Sequence, residues 1–350
     1  LAHLESIHAP PVESDVFYPR VWRQGFMERF QPQTAAGSRA ELAGTAPDQL
    51  ATFARWVRYL DIPATQVALG QGLVAVGDRQ RSGELSAQGF IAQGLGLITL
   101  GRIEDGIAAF DSAVARLDVP ETRLQAAEWR VIPHALGLEG FPSTAVGPGE
   151  TVLREMWSDP VADPQTRARA ATALALLAHR RGESEARDEW SERLQDMAVE
   201  DDAVASRPAR FVRALGATER GDYGAALSGT AGDLAYDSAG LAMRPFFRSA
   251  LYVSRGEWHL ALGRADSAVS AWLWHENTDL EGTIPPFTVQ AGEVDGALGV
   301  HARLRIAHAA ADSGLACSRA RDIIRLWSSP DSALASLLPE VARHLGSCGP

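Results

Sequence analysis

The stretch "RGEWHLALGRADSAVSAW", residues 255–272, reads as two short amphipathic runs hinged at Gly263. Gly256 lies seven residues before the hinge, Ala268 five after it and Trp272 nine after it. The same offsets recur around Gly101, with Gly94, Gly106 and Phe110, and around Gly221, with Ala214, Ala226 and Thr230. Helix–turn–helix packing accounts for the spacing. A glycine at the turn takes the left-handed conformation that ends the first helix. Small residues at the flanking offsets let the paired helices approach, and a large residue one turn later fills the groove beside them.

The candidate hinges are evenly placed: Asp61-Ile62-Pro63, Gly101, Gly140, Gly182, Gly221, Gly263 and Gly314. Successive intervals are about 40 residues, apart from 51 at the end. A fixed period in this range marks stacked supersecondary units that bury their apolar faces only against neighbours. About seven hairpins then occupy residues 46–350. The longer last interval carries an inserted loop at 277–296, "NTDLEGTIPPFTVQAGEVDG", whose double proline and apolar residues suggest an ordered flap. Residues 1–45 differ: "HAPPVESD" and "QPQTAAGS" are turn signals around one helical candidate, Tyr18–Phe30, which reads as an irregular arm or cap.

The repeat resembles the tetratricopeptide-repeat family, in which small residues flank a turn glycine and an aromatic follows late in the second helix. The match is good at 87–117 and 249–275 and fair at 207–230. It departs at Gly182 and Gly314, where the small residue is displaced to Ala186 and Ala320, and at Gly140, whose preceding helix contains Pro133. The period also exceeds the family's usual spacing of about 34. Residues from about Arg255 to Arg343 are similar to repeat regions beyond the kinase domain of some bacterial serine/threonine kinases, with no kinase motif here.

The resemblance implies an all-α fold, a right-handed α-solenoid, and a role as a non-catalytic protein-binding scaffold or assembly subunit. Its partners would be proteins, in a larger complex or a homo-oligomer. Inward-facing positions carried over from the family fall at Gln88, Ile91, Leu95 and Ile98, at Val253, Glu257 and Leu260, and at His301, Leu304 and His308. An alternative reading is a regulatory or sensor segment of a larger membrane-anchored bacterial protein.

Composition narrows the chemistry. The net charge of −11 argues against a nucleic-acid partner, which needs clustered positive charge. Arg167, Arg169, Arg180, Arg181 and Arg187 read as a solvated helix face. All 33 basic residues are arginine, as a GC-rich genome would produce, and Asn277 is the sole asparagine. Without lysine there is no P-loop lysine, no kinase strand lysine and no Schiff-base chemistry. No run of about 18 apolar residues spans a membrane. The chain opens at Leu1 without a charged and then apolar leader, which fits a processed terminus or a piece of a longer protein.

Other motifs are weaker. "GQGLVA", residues 70–75, matches a dinucleotide fingerprint in form, but its flanks are helical in pattern, so helix packing explains it. No G-x-S-x-G elbow and no metal-spaced His/Cys cluster occurs, so no catalytic residue, cofactor or metal is assigned. A rival metal site would join His301 and His308, seven residues apart, to Glu276, Asp279 and Glu281. Trp258, Trp272 and Trp274 read as core between repeats.

The two cysteines complete the reading. A helix near 316–328, a turn at Ser329-Pro330 and a return helix near 332–346 bring Cys317 and Cys348 to one end, where they would pair. A disulfide favours an extracytoplasmic location, periplasmic or secreted.

Overall fold

In a computed structural model the described residues are 63–200, 202–234, 245–275, 288–346 and 348. The arm at 1–45 and its helical candidate lie outside them, as do residues 277–287 of the expected insert. Among the described residues every regular element is helical, with no strand. In chain order the helices are α1 (Pro63–Gln80), α2 (Gly83–Thr99), α3 (Ile103–Arg116), α4 (Pro120–Ala135) and α5 (Val146–Ser158). Next come α6 (Pro164–Arg181), α7 (Ser184–Glu200), α8 (Asp202–Glu219), α9 (Tyr223–Gly229) and α10 (Pro245–Ala261). The last are α11 (Ala265–Trp272), α12 (Thr288–Ala309), α13 (Ser313–Leu326), the single turn α14 (Ser332–Ala335) and α15 (Leu338–Gly346).

Local chemistry sets the boundaries. Pro63, Pro120 and Pro164 open α1, α4 and α6, where a missing N–H costs nothing. The carboxylates of Asp163 and Asp222 accept from Thr166 N at 3.0 Å and Ala225 N at 2.9 Å, capping α6 and α9. Gly101, Gly140, Gly182, Gly221 and Gly263 all take positive φ, between 71° and 84°, at the anticipated turns. Gly314 does not. Asp312 caps α13 there, accepting from Gly314 N at 2.8 Å, and the turn falls at 310–312. Pro63 opens α1, while Asp61 and Ile62 of the first anticipated hinge lie outside the described residues; α1 is joined to α2 at Arg81-Ser82, with Arg81 at φ 55°.

The repeated offsets are packing contacts. A Cβ built on Gly94 would stand 2.9 Å from the Phe110 ring and 3.1 Å from the Gly106 carbonyl oxygen. A Cβ on Gly256 would overlap the Trp272 indole. "GQGLVA" lies within α1, where a Cβ on Gly70 would stand 2.5 Å from the Gly89 carbonyl of α2. That motif serves helix contact.

Two layers follow from the burial patterns. Second helices such as α3 are amphipathic, burying Ile103, Ile107, Phe110 and Ala113 on one stripe. First helices are enclosed: α6 buries every residue from Ala168 to Leu177. Contacts run α4–α6–α8–α10–α12, and α12 then packs against α2, near the start of the described chain. With α3 joining α2 to α4, the succession of helices returns on itself where an open stack would keep its ends apart. Its middle is filled. Trp129 of α4 stacks on Phe110 at 5.5 Å and meets Phe246 of α10 edge-on at 4.7 Å. Trp258, Trp272 and Trp274 are buried as their spacing implies.

The segment after α13 seals the closure. Trp327 and Pro330 cover Gly101, and the Asp331 N–H donates to the Gly101 carbonyl at 2.9 Å. Leu334, fully buried, lies against Gly140 and Ile103 is beside it. Cys317 and Cys348 are joined at a Cα–Cα distance of 6.0 Å, tying the start of α13 to the end of the chain. The second half of the expected flap is instead helix, since α12 begins at Thr288.

Candidate functional site

The C-terminal ends of the first helices gather at one pole of the molecule. Arg305, near the end of α12, donates to Glu257, near the end of α10, at 2.7 Å and to the Gly137 carbonyl beyond α4 at 3.4 Å. Arg180 of α6 packs over Gly137, and His179 faces Glu219 of α8 at 3.1 Å. Cations here meet the negative ends of the helix dipoles and their unpaired carbonyls, a favourable placement.

Glu139 is the centre of this pole. Its carboxylate accepts from Arg305 at 3.3 Å and lies 3.5 Å from His301 Nδ1. Burial pushes the carboxyl upward, but the His301 bond and the charges of Arg305 and His301 outweigh it, holding the group at about 2. His301 is fully enclosed between the rings of Phe141 and Trp327, each 5.6 Å away centre to centre. Its Nε2 and the Trp327 Nε1 have no hydrogen-bond partner. A carboxylate–imidazole pair is the geometry of a general base, but an imidazole with no exposed surface cannot reach a substrate from solvent. Here the pair fastens α12 to the loop after α4.

Glu219 forms a second knot. Burial again opposes ionisation, yet bonds from Ser184, Arg187 and His179 hold its carboxyl at about 2. Arg187 is buried and pairs with both Glu219 and Asp188, so it does not belong to a solvated face. Arg169 departs from that reading too. Enclosed on α6, it grips Glu128 of α4 through Nε at 2.9 Å and Nη2 at 2.5 Å, and Glu121 through Nη1 at 2.8 Å. Burial works against its charge, and the two carboxylates more than reverse this. Beside it lies a cavity of about 20 Å³, bordered by Glu128, Ile132, Thr172, Phe246 and Phe247. That is room for about one water.

The positions inferred for a concave face are divided. Leu95, Ile98, Val253, His301 and Leu304 are buried in the core. Gln88 and Ile91 are half-buried. Glu257, Leu260 and His308 are exposed. The first five are taken up by the chain's own packing, Ile98 against Gly106 of its own hairpin, and the three exposed positions sit near the C-terminal ends of α10 and α12. His301 and His308 also diverge: the first faces Glu139, the second faces Glu340 of α15. Glu276, Asp279 and Glu281 lie outside the described residues.

Sequence reasoning missed Glu139, Arg305 and the Arg169–Glu128 pair. Glu128 carried a signal, because it sits four residues after Leu124 and four before Ile132, on the apolar stripe of α4. A carboxylate there requires a partner. No protein-family model matches the chain, and no characterised protein is similar enough to register as a relative.

Proposed function

We propose that the chain is a non-catalytic, protein-binding scaffold or assembly subunit that takes its partner at the C-terminal pole of the first helices. The turn between α10 and α11 carries this reading. Among the described residues four large apolar side chains are notably exposed: Val161, Val199, Leu260 and Leu262. Two of the four share this single turn, and Ala261 between them is exposed as well. Contiguous exposed apolar residues with charge at their rim fit a protein contact. Glu257 and Arg264 supply that rim.

The hairpin offsets support kinship with tetratricopeptide-type repeats, with the binding surface moved to the pole. The paired cysteines support an extracytoplasmic setting, where such bonds persist. No described helix is long and apolar enough to cross a membrane.

Affinity capture with the whole chain tests the assignment. Leu260→Glu combined with Leu262→Glu should weaken retention of the captured partner by roughly 30-fold, the loss of one interface anchor. Val161→Glu, at the exposed turn after α5, should retain it. Equal capture by all three proteins, with helicity unchanged, would place recognition elsewhere.

A further inference from the structure

The C-terminal helix brings a metal-ligating set together with the end of α12. Glu340 and His344 are four residues apart on α15, so both project from one face of the helix. His308, in the last turn of α12, reaches the same point from a neighbouring element. Its Nε2 stands 3.8 Å from Glu340 Oε1, and its ring lies 5.1 Å from the His344 ring, centre to centre. One ligand atom from each of the three residues falls within 4.8 Å of the other two.

We propose that His308, Glu340 and His344 form a zinc site that clasps α15 to α12. Two imidazoles and one carboxylate are borderline and hard donors in the combination zinc accepts. Zinc–ligand bonds of about 2.0–2.2 Å set tetrahedral ligand atoms roughly 3.3–3.5 Å apart, so only a small contraction closes the set. His308 and Glu340 are exposed and His344 half-buried, which leaves a fourth position open to water.

The site has a structural purpose in this fold. α15 is a nine-residue helix that buries one side chain, Val341, on the body of the protein. A helix so short is marginal by itself. The disulfide secures the chain four residues beyond His344. A metal joining His344 and Glu340 to His308 fixes the helix one turn earlier, onto α12, whose His301 and Arg305 hold Glu139.

Zinc titration of the full, oxidised chain by calorimetry tests this, with zinc chloride as the probe and thermal unfolding as a second readout. One tight equivalent should bind the wild type and raise its unfolding temperature. His308→Ala and His344→Ala should each weaken that equivalent by at least about tenfold, since loss of even an outer partner costs that much. Glu340→Gln, which keeps the shape but not the charge, should also weaken it. A wild type that binds no equivalent, or one that all three variants bind unchanged, overturns the site. Circular dichroism without zinc separates failure to fold from failure to bind, and His308→Gln, at an exposed position, replaces any variant that unfolds.

Discussion

Replacing Arg169 by methionine should destabilise the protein by about 3–5 kcal/mol, the usual cost of removing one member of a buried ion pair. Glu128 is only 1% exposed, and Arg169 holds both of its oxygens in a bidentate grip. Methionine fills the volume of the side chain but leaves the carboxylate enclosed without that guanidinium. Adding Glu128→Gln should recover part of the loss, because no charge is then left buried. Urea unfolding followed by circular dichroism measures both. A single-variant loss below about 1 kcal/mol, typical of an exposed pair, would mean the cluster is solvated.

Loss of the Cys317–Cys348 bridge is the second large effect. It spans 31 residues, and closing a loop of that length restricts the unfolded chain by about 3–4 kcal/mol. The double Cys317→Ser, Cys348→Ser variant should lose that much stability. It should also release α15 first, since Val341 is its one buried side chain. Hydrogen exchange should therefore accelerate across residues 338–346 well before the body of the protein opens. Uniform exchange, with unchanged stability, would show that the bridge contributes nothing.

The sequence displays the hairpins because their determinants are local. Five turn glycines and the small–small–large offsets around Gly101 and Gly263 each act within one unit, and each appears at its anticipated position. Two turns were hidden by equally local chemistry. Arg81 adopts a left-handed conformation without being glycine, and Asp312 turns "DSG" into a cap, not a hinge.

Closure of the row was not legible, and the reason is physical. An enclosed helix such as α6 reads as apolar all round whether it meets a sequential neighbour or a distant one. The contact of α12 with α2 joins residues some 200 apart and has no period. Leu95, Ile98, Val253 and Leu304 carry the same apolar signal that an exposed recognition face would carry. Charge gave more warning. Glu128 on an apolar stripe announces a buried pair, though not that Arg169 is the other member. Glu139 lies in a loop, where sequence assigns a carboxylate to solvent by default.

In the proposed reading, closure removes the first-helix face from recognition and leaves the pole as the partner surface. Glu139 reports it directly, because its neighbours His301 and Arg305 lie more than 160 residues along the chain. Its carboxyl, held at about 2 in the folded protein, sits below its unfolded value of about 4.3. The contribution to stability is therefore complete above about pH 4.3 and is lost as the pH falls from there toward 2. Carbon-13 NMR titration of glutamate-labelled protein, with Glu139→Gln to assign the signal, measures the midpoint. A value near 2 that rises in Arg305→Ala is the predicted result; a midpoint near 4.3 in the wild type would contradict the closed row.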